Sequence, residues 1–98
     1  MAKQIVWTHT AQIERKEILE YWIKRNKTKT FSIKLNKLFI SALKDVSKNP
    51  FIGRKTDVQN VRAKIVRDYL LFYEVTTEFI YVLSVWDTRR DSSSRLLK

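Results

Sequence analysis

Five cations stand within or just beyond the apolar runs of the C-terminal half: Arg62, Lys64, Arg67, Arg89 and Arg90. Arginine's planar fork grips a phosphate through two parallel hydrogen bonds, and lysine adds a mobile point charge. Such a set suits a polyanion, or the charge that builds on a phosphorane. Chemistry at a phosphodiester would also need a base and an acid beside the cations. Arg62, Lys64, Asp87 and Arg89 are the candidates for that chemistry. Asp87 can act as the base only if burial raises its pKa. Otherwise it pairs with Arg89 or Arg90, or caps a turn. His9, the sole histidine, falls at a helix start and reads as a surface residue. Glu74 shares strand parity with Leu70 and Phe72, so it either faces the same surface or pairs with Lys64. Among Trp7, Trp22 and Trp86, Trp22 lies in a helical stripe and reads as core. Trp86, beside the arginines, is the candidate for stacking on a base.

Three strands must position these residues. Val61 to Val66 alternates apolar with basic, the period of a strand with one dry face. Tyr69 to Val75 is apolar on both parities, with Tyr69, Leu71, Tyr73 and Val75 on one side and Leu70 and Phe72 on the other. Phe79 to Trp86 behaves likewise: strict alternation sets Phe79, Tyr81, Leu83 and Val85 against Ile80, Val82 and Trp86. Arg67-Asp68 and Thr76-Thr77-Glu78 are short enough to join them as hairpins, giving an antiparallel meander.

Upstream, Gln4 to Trp7 reads as an edge strand. Thr8 or Thr10 can cap a helix whose apolar face carries Ala11, Ile18, Leu19, Trp22 and Ile23. Arg25-Asn26-Lys27 breaks it. A second helix starts near Thr28 or Thr30, with a stripe of Phe31, Leu35, Leu38, Phe39, Ala42, Leu43 and Val46, and Asn49-Pro50 stops it. The short break predicts an antiparallel helix hairpin lying on the sheet. Gly53, the only glycine, is expected at a backbone angle that other residues avoid.

The order β-α-α-β-β-β predicts an α+β fold: an antiparallel-rich four-stranded sheet with the N-terminal helix hairpin packed on one face. Residues 1–98 are expected to form a single domain, with residues 92–98 as a frayed tail. Nothing remains in the chain to cover the other sheet face, where Leu70, Phe72 and Trp86 are the candidates for an apolar docking surface. The absence of cysteine excludes a disulfide framework, and one histidine argues against a protein-built zinc centre, so neither metal nor cofactor is expected. No apolar run approaches the ~20 residues of a membrane span, and the N-terminus lacks a signal peptide's apolar core, so a cytoplasmic protein is expected. A net charge of +10 points to an acidic or polyanionic partner. Between Lys24 and Lys48 stand eight basic residues and one acid, Asp45, which form either a solvated face or a ridge that meets an anion.

NPFIGRKT after the helix hairpin, the strand DYLLFYEV and the closing VWDTRRD, in this order and spacing, resemble the RelE/ParE toxins of bacterial type II toxin–antitoxin systems. The resemblance spans roughly Ile5 to Asp91. It implies a cytoplasmic, plasmid-stabilising type of growth inhibitor, held in a hetero-oligomer by an acidic, partly disordered antitoxin. RelE-like members cut mRNA in the ribosomal A site without metal; ParE-like members poison DNA gyrase. The basic face of the first meander strand in the ribonucleases matches Arg62 and Lys64. Their usual arginine in the next strand is replaced here by Leu70, and Asp87, Thr88, Arg89 and Arg90 occupy the neighbourhood where others offer a histidine or tyrosine. The resemblance therefore favours a binding toxin over an endoribonuclease, with Arg62, Lys64, Arg67, Arg89 and Arg90 as target contacts and Leu70, Phe72 and Trp86 as antitoxin contacts.

Overall fold

The computed structural model describes residues 2–89. Arg90 and the 92–98 tail lie outside them. Strand β1 (Gln4–Trp7) leads into helix α1 (His9–Asn26), helix α2 (Thr30–Lys48) and a 3-10 turn at Pro50–Ile52, then β2 (Arg54–Lys55), β3 (Val61–Val66), β4 (Tyr69–Val75) and β5 (Phe79–Asp87). The α+β class holds, but the sheet has five strands and is mixed, in the order β1-β5-β4-β3-β2. The four-stranded expectation missed β2, a two-residue strand paired antiparallel to β3. Two polar residues carry no period for a pattern to reveal. β1 runs parallel to β5, whereas the meander β3-β4-β5 is antiparallel. A parallel pair needs a long connection, and the helix hairpin together with the first strands of the meander provides one.

Thr8 ends β1 and starts α1. Its backbone N–H and hydroxyl both donate to the Val82 carbonyl, while the hydroxyl oxygen accepts from the Ala11 N–H at the open end of the helix. α1 stops at Lys27, which takes a left-handed backbone (φ 58°) where glycine is the usual residue. The α2 stripe lands where its spacing predicts: Leu35, Phe39, Ala42, Leu43 and Val46 are buried. They meet Val66, Tyr69, Leu71, Val82 and Val85, and Val46 meets Tyr73 and Ile80.

The alternation expected along β5 fails at one point. Phe72 pairs with Ser84 and Tyr73 with Val82, so Leu83 is an extra residue, a β-bulge. The bulge returns Val85 to the helix-covered face beside Val82, and turns Trp86 outward opposite Leu70. Unbroken period 2 grouped Trp86 with Ile80 and Val82, whereas the docking-face expectation grouped it with Leu70 and Phe72, and the bulge gives the second arrangement.

Gly53 also differs from expectation. Its backbone is ordinary and extended (φ −75°, ψ 160°). What requires glycine is space: a Cβ there would stand 2.3 Å from the Tyr73 hydroxyl oxygen.

Candidate functional site

Of the four described cations, Arg67 and Arg89 share one end of β4, while Arg62 lies toward the other. Arg62 lies on the helix-covered side of β3, opposite Tyr73. Its guanidinium donates to the carbonyls of Phe51 (3.3 Å) and Gly53 (2.9 Å) and lies 5.0 Å from the Phe51 ring centre. Lys64, opposite Leu71 on that side, borders a shallow groove with Ser41 and Asp45 of α2. Arg67 occupies the β3–β4 turn, exposed, with a left-handed backbone (φ 55°). Arg89 lies at that same end of β4, near Tyr69, which pairs with Asp87, and its guanidinium stands 3.9 Å from Asp68 of the turn. Tyr69 and Tyr73 are four residues apart, about 13 Å at ~3.3 Å per residue. Arg62 and Arg89 thus sit at different ends of the sheet.

Asp87 holds Arg89. One carboxylate oxygen accepts from the Arg89 backbone N–H (2.9 Å) and Nε (3.1 Å), and the other accepts from Nη2 (3.0 Å). These bonds push the Arg89 pKa above the ordinary arginine value, which burial only partly offsets. The pairing with Arg89 that the sequence left open for Asp87 is therefore present. The Arg89 guanidinium also lies 5.2 Å from the Trp22 ring centre. Trp22 Nε1 donates to the Tyr69 hydroxyl at 2.7 Å, and Phe31 meets Trp22 edge-on at 4.9 Å. Trp22 is thus half core and half platform for a cation. Burial raises the pKa of Tyr69, and the Trp22 bond opposes that rise. His9 is exposed at the first turn of α1. Glu74 sits opposite Val61, on the face away from Lys64.

The three apolar candidates do come together. Leu70 pairs with Trp86, and Phe72 meets the Trp86 ring edge-on at 4.7 Å. Ile65, opposite Leu70, extends the patch and is 56% exposed. No described helix lies on this side: the core residues of α1 and α2 pack against the opposite face of the sheet. Arg62 and Arg89 do not rim the patch, because both turn to the helix side.

A groove of about 510 Å³ between α1 and the end of β5 has no counterpart in the sequence reading. It is lined by Glu14, Glu17, Ile18 and Tyr21 from α1, with Tyr69, Val85, Trp86, Asp87 and Arg89 opposite. β1 leaves β5 at Trp7, so the edge beyond Val82 lacks a strand neighbour. Glu14 substitutes for one: a carboxylate oxygen accepts from the Val85 N–H (2.9 Å) and the Ser84 hydroxyl (2.8 Å). Nothing in the spacing of Glu14 reveals this, because the bond depends on where α1 crosses the sheet. Trp86 borders both the groove and the open face.

A helix hairpin on one side of a mixed sheet, with an apolar patch on the other, defines a small basic α+β protein. In overall fold it matches a chain of the structure titled "Chromosomal ParDE TA system from P. aeruginosa", with a TM-score of 0.76 over 90% of this chain and 98% of that one at 16% identity. Residues 5–92 match the family described as "ParE toxin of type II toxin-antitoxin system, parDE", and the chain belongs to that family. No curated protein matches it in sequence. Among the described residues no helix is long and apolar enough to cross a membrane.

Proposed function

We propose that this ParE-family toxin acts in the cytoplasm as a single domain that binds and blocks a target such as DNA gyrase, without cleaving RNA. The dispersal of the candidate cleavage residues carries this reading. Arg62 is tied to backbone carbonyls, Asp87 and Arg89 bind each other at the far end of β4, and Leu70 stands where the ribonucleases place an arginine. Metal-free cleavage needs its base, acid and cations within hydrogen-bond reach of one phosphate. Arg62, Lys64, Arg67, Arg89 and Arg90 remain the proposed target contacts, with Arg67 and Arg90 assigned by sequence position.

The antitoxin in this reading is an acidic, partly disordered chain that covers Leu70, Phe72 and Trp86 and keeps the toxin inactive in a hetero-oligomer. A sheet face with Ile65 exposed and Leu70 and Trp86 half-buried around the buried Phe72, on a chain of net charge +10, favours a partner that brings both apolar and acidic side chains. Two assays on the purified toxin decide between mechanisms. Gyrase incubated with supercoiled DNA and toxin is expected to accumulate DNA breaks, while toeprinting on translating ribosomes is expected to reveal no codon-specific cuts. Cuts in mRNA with intact DNA would replace the blocking mechanism with an endonuclease.

A further inference from the structure

The outer face of α2 is used by neither the core, the sheet patch nor the groove. At 100° per residue, Lys34, Lys37, Lys44 and Lys48 fall within about 80° of arc, opposite the buried stripe of Leu35, Phe39 and Val46. All four are exposed, and none makes an ion pair or hydrogen bond with a described residue. The row is about 21 Å long at ~1.5 Å per residue. Lys24, Lys27 and Lys29, all exposed, precede the helix in sequence. Asp45 is the only acid on the helix. A face that served solubility alone would mix both signs, as α1 does with Glu14, Glu17 and Glu20.

We propose that this ridge binds the phosphate backbone of duplex DNA through Lys34, Lys37, Lys44 and Lys48, whichever target the toxin blocks. A straight row of point charges fits a regular line of phosphates. It spans about two-thirds of a ~34 Å turn of B-form duplex. No aromatic side chain stands on the row to stack an unpaired base, which disfavours single strands as the ligand. The exposed apolar residues beside it, Ile33 (54%) and Ile40 (43%), are seven positions apart and isolated. They give an amphipathic acidic helix too little apolar area to grip. Lysine's flexible ammonium reads charge and not base identity, so binding should be independent of sequence.

Fluorescence anisotropy of the full-length toxin with a labelled duplex of mixed sequence, between about 50 and 200 mM salt, tests this. Each phosphate contact steepens the log–log salt dependence by about 0.9. The pair Lys37→Gln, Lys44→Gln should therefore flatten it by about 1.8, and neutralising all four lysines by about 3.6. The charge-matched pair Arg54→Gln, Lys55→Gln on β2 should leave the slope unchanged. Equal flattening by both pairs would reduce the ridge to general charge and overturn the proposal. So would tighter binding of a folded RNA hairpin or of polyglutamate than of duplex DNA. Matched melting curves establish that the surface variants remain folded.

Discussion

Tyr73 and Gly53 share one small space. The Tyr73 hydroxyl donates to the Pro50 carbonyl (2.7 Å) and accepts from the Gly53 N–H (3.0 Å), leaving no room for a side chain at position 53. Gly53→Ala should cost about 1–3 kcal/mol by overpacking, read from urea denaturation. Adding Tyr73→Phe should recover part of that loss, since it removes the nearest clashing atom although ring carbons Cε1 and Cζ stay 2.9 Å away; a double mutant weaker than the sum of the singles would contradict this. Burial also raises the pKa of Tyr69 and Tyr73 above the ordinary tyrosine value. The folded state therefore binds these protons more tightly than the unfolded chain. Their contribution to stability is complete below the unfolded value of about 10 and is lost as pH climbs through the higher folded values. Melting temperature should fall more steeply above pH ~10 in the native chain than in a Tyr69→Phe, Tyr73→Phe variant. Equal slopes would mean that the two hydroxyls do not govern alkaline unfolding.

At the scale of elements, two connections are held by residues that a sequence pattern passes over. Lys27 ends α1 in the left-handed region at φ 58°. A residue with a Cβ pays roughly 1 kcal/mol there, and glycine does not. Lys27→Gly should accordingly raise the melting temperature; a lower one would place the backbone strain elsewhere. Glu14 joins α1 to the bulged part of β5, where the Val85 N–H has no strand neighbour. Glu14→Ala should destabilise by about 1 kcal/mol, while Glu14→Gln, which keeps an acceptor oxygen, should lose less. Amide exchange at Val85 is the local readout, and it should accelerate in the alanine variant alone.

For the whole molecule, the distribution of surfaces matters more than any single residue. Both helices pack on one face of the sheet, and the outer side of α2 carries four exposed lysines against the one acid of that helix. The opposite sheet face keeps Ile65, Leu70, Phe72 and Trp86 together. Ile65→Asp should leave thermal stability nearly unchanged, because the side chain is largely exposed. On the proposed assignment of this face it should weaken antitoxin binding at least tenfold, ~1.4 kcal/mol. Titration of the cognate antitoxin against the variant measures this, and unchanged affinity would move the antitoxin to another surface.

The α2 core stripe, the proline stop, the three meander strands and the α+β class were legible in the chain because each is a periodic or local property. Leu70 in place of the family's arginine could likewise be read directly, and the cap was narrowed to Thr8 or Thr10, of which the structure uses Thr8. The fifth strand could not, since two residues have no period. Nor could the bulge at Leu83, which exchanges the faces of Val85 and Trp86 and brings Trp86 to Leu70 and Phe72. The packing reason for Gly53, the Glu14 bond to the edge of β5 and the separation of Arg62 from Arg89 were also decided in three dimensions. Sequence fixes which way a side chain points only while alternation is unbroken. One inserted residue, or the crossing of a helix over a strand end, depends on contacts between segments some seventy positions apart, as in the bond from Glu14 to Ser84.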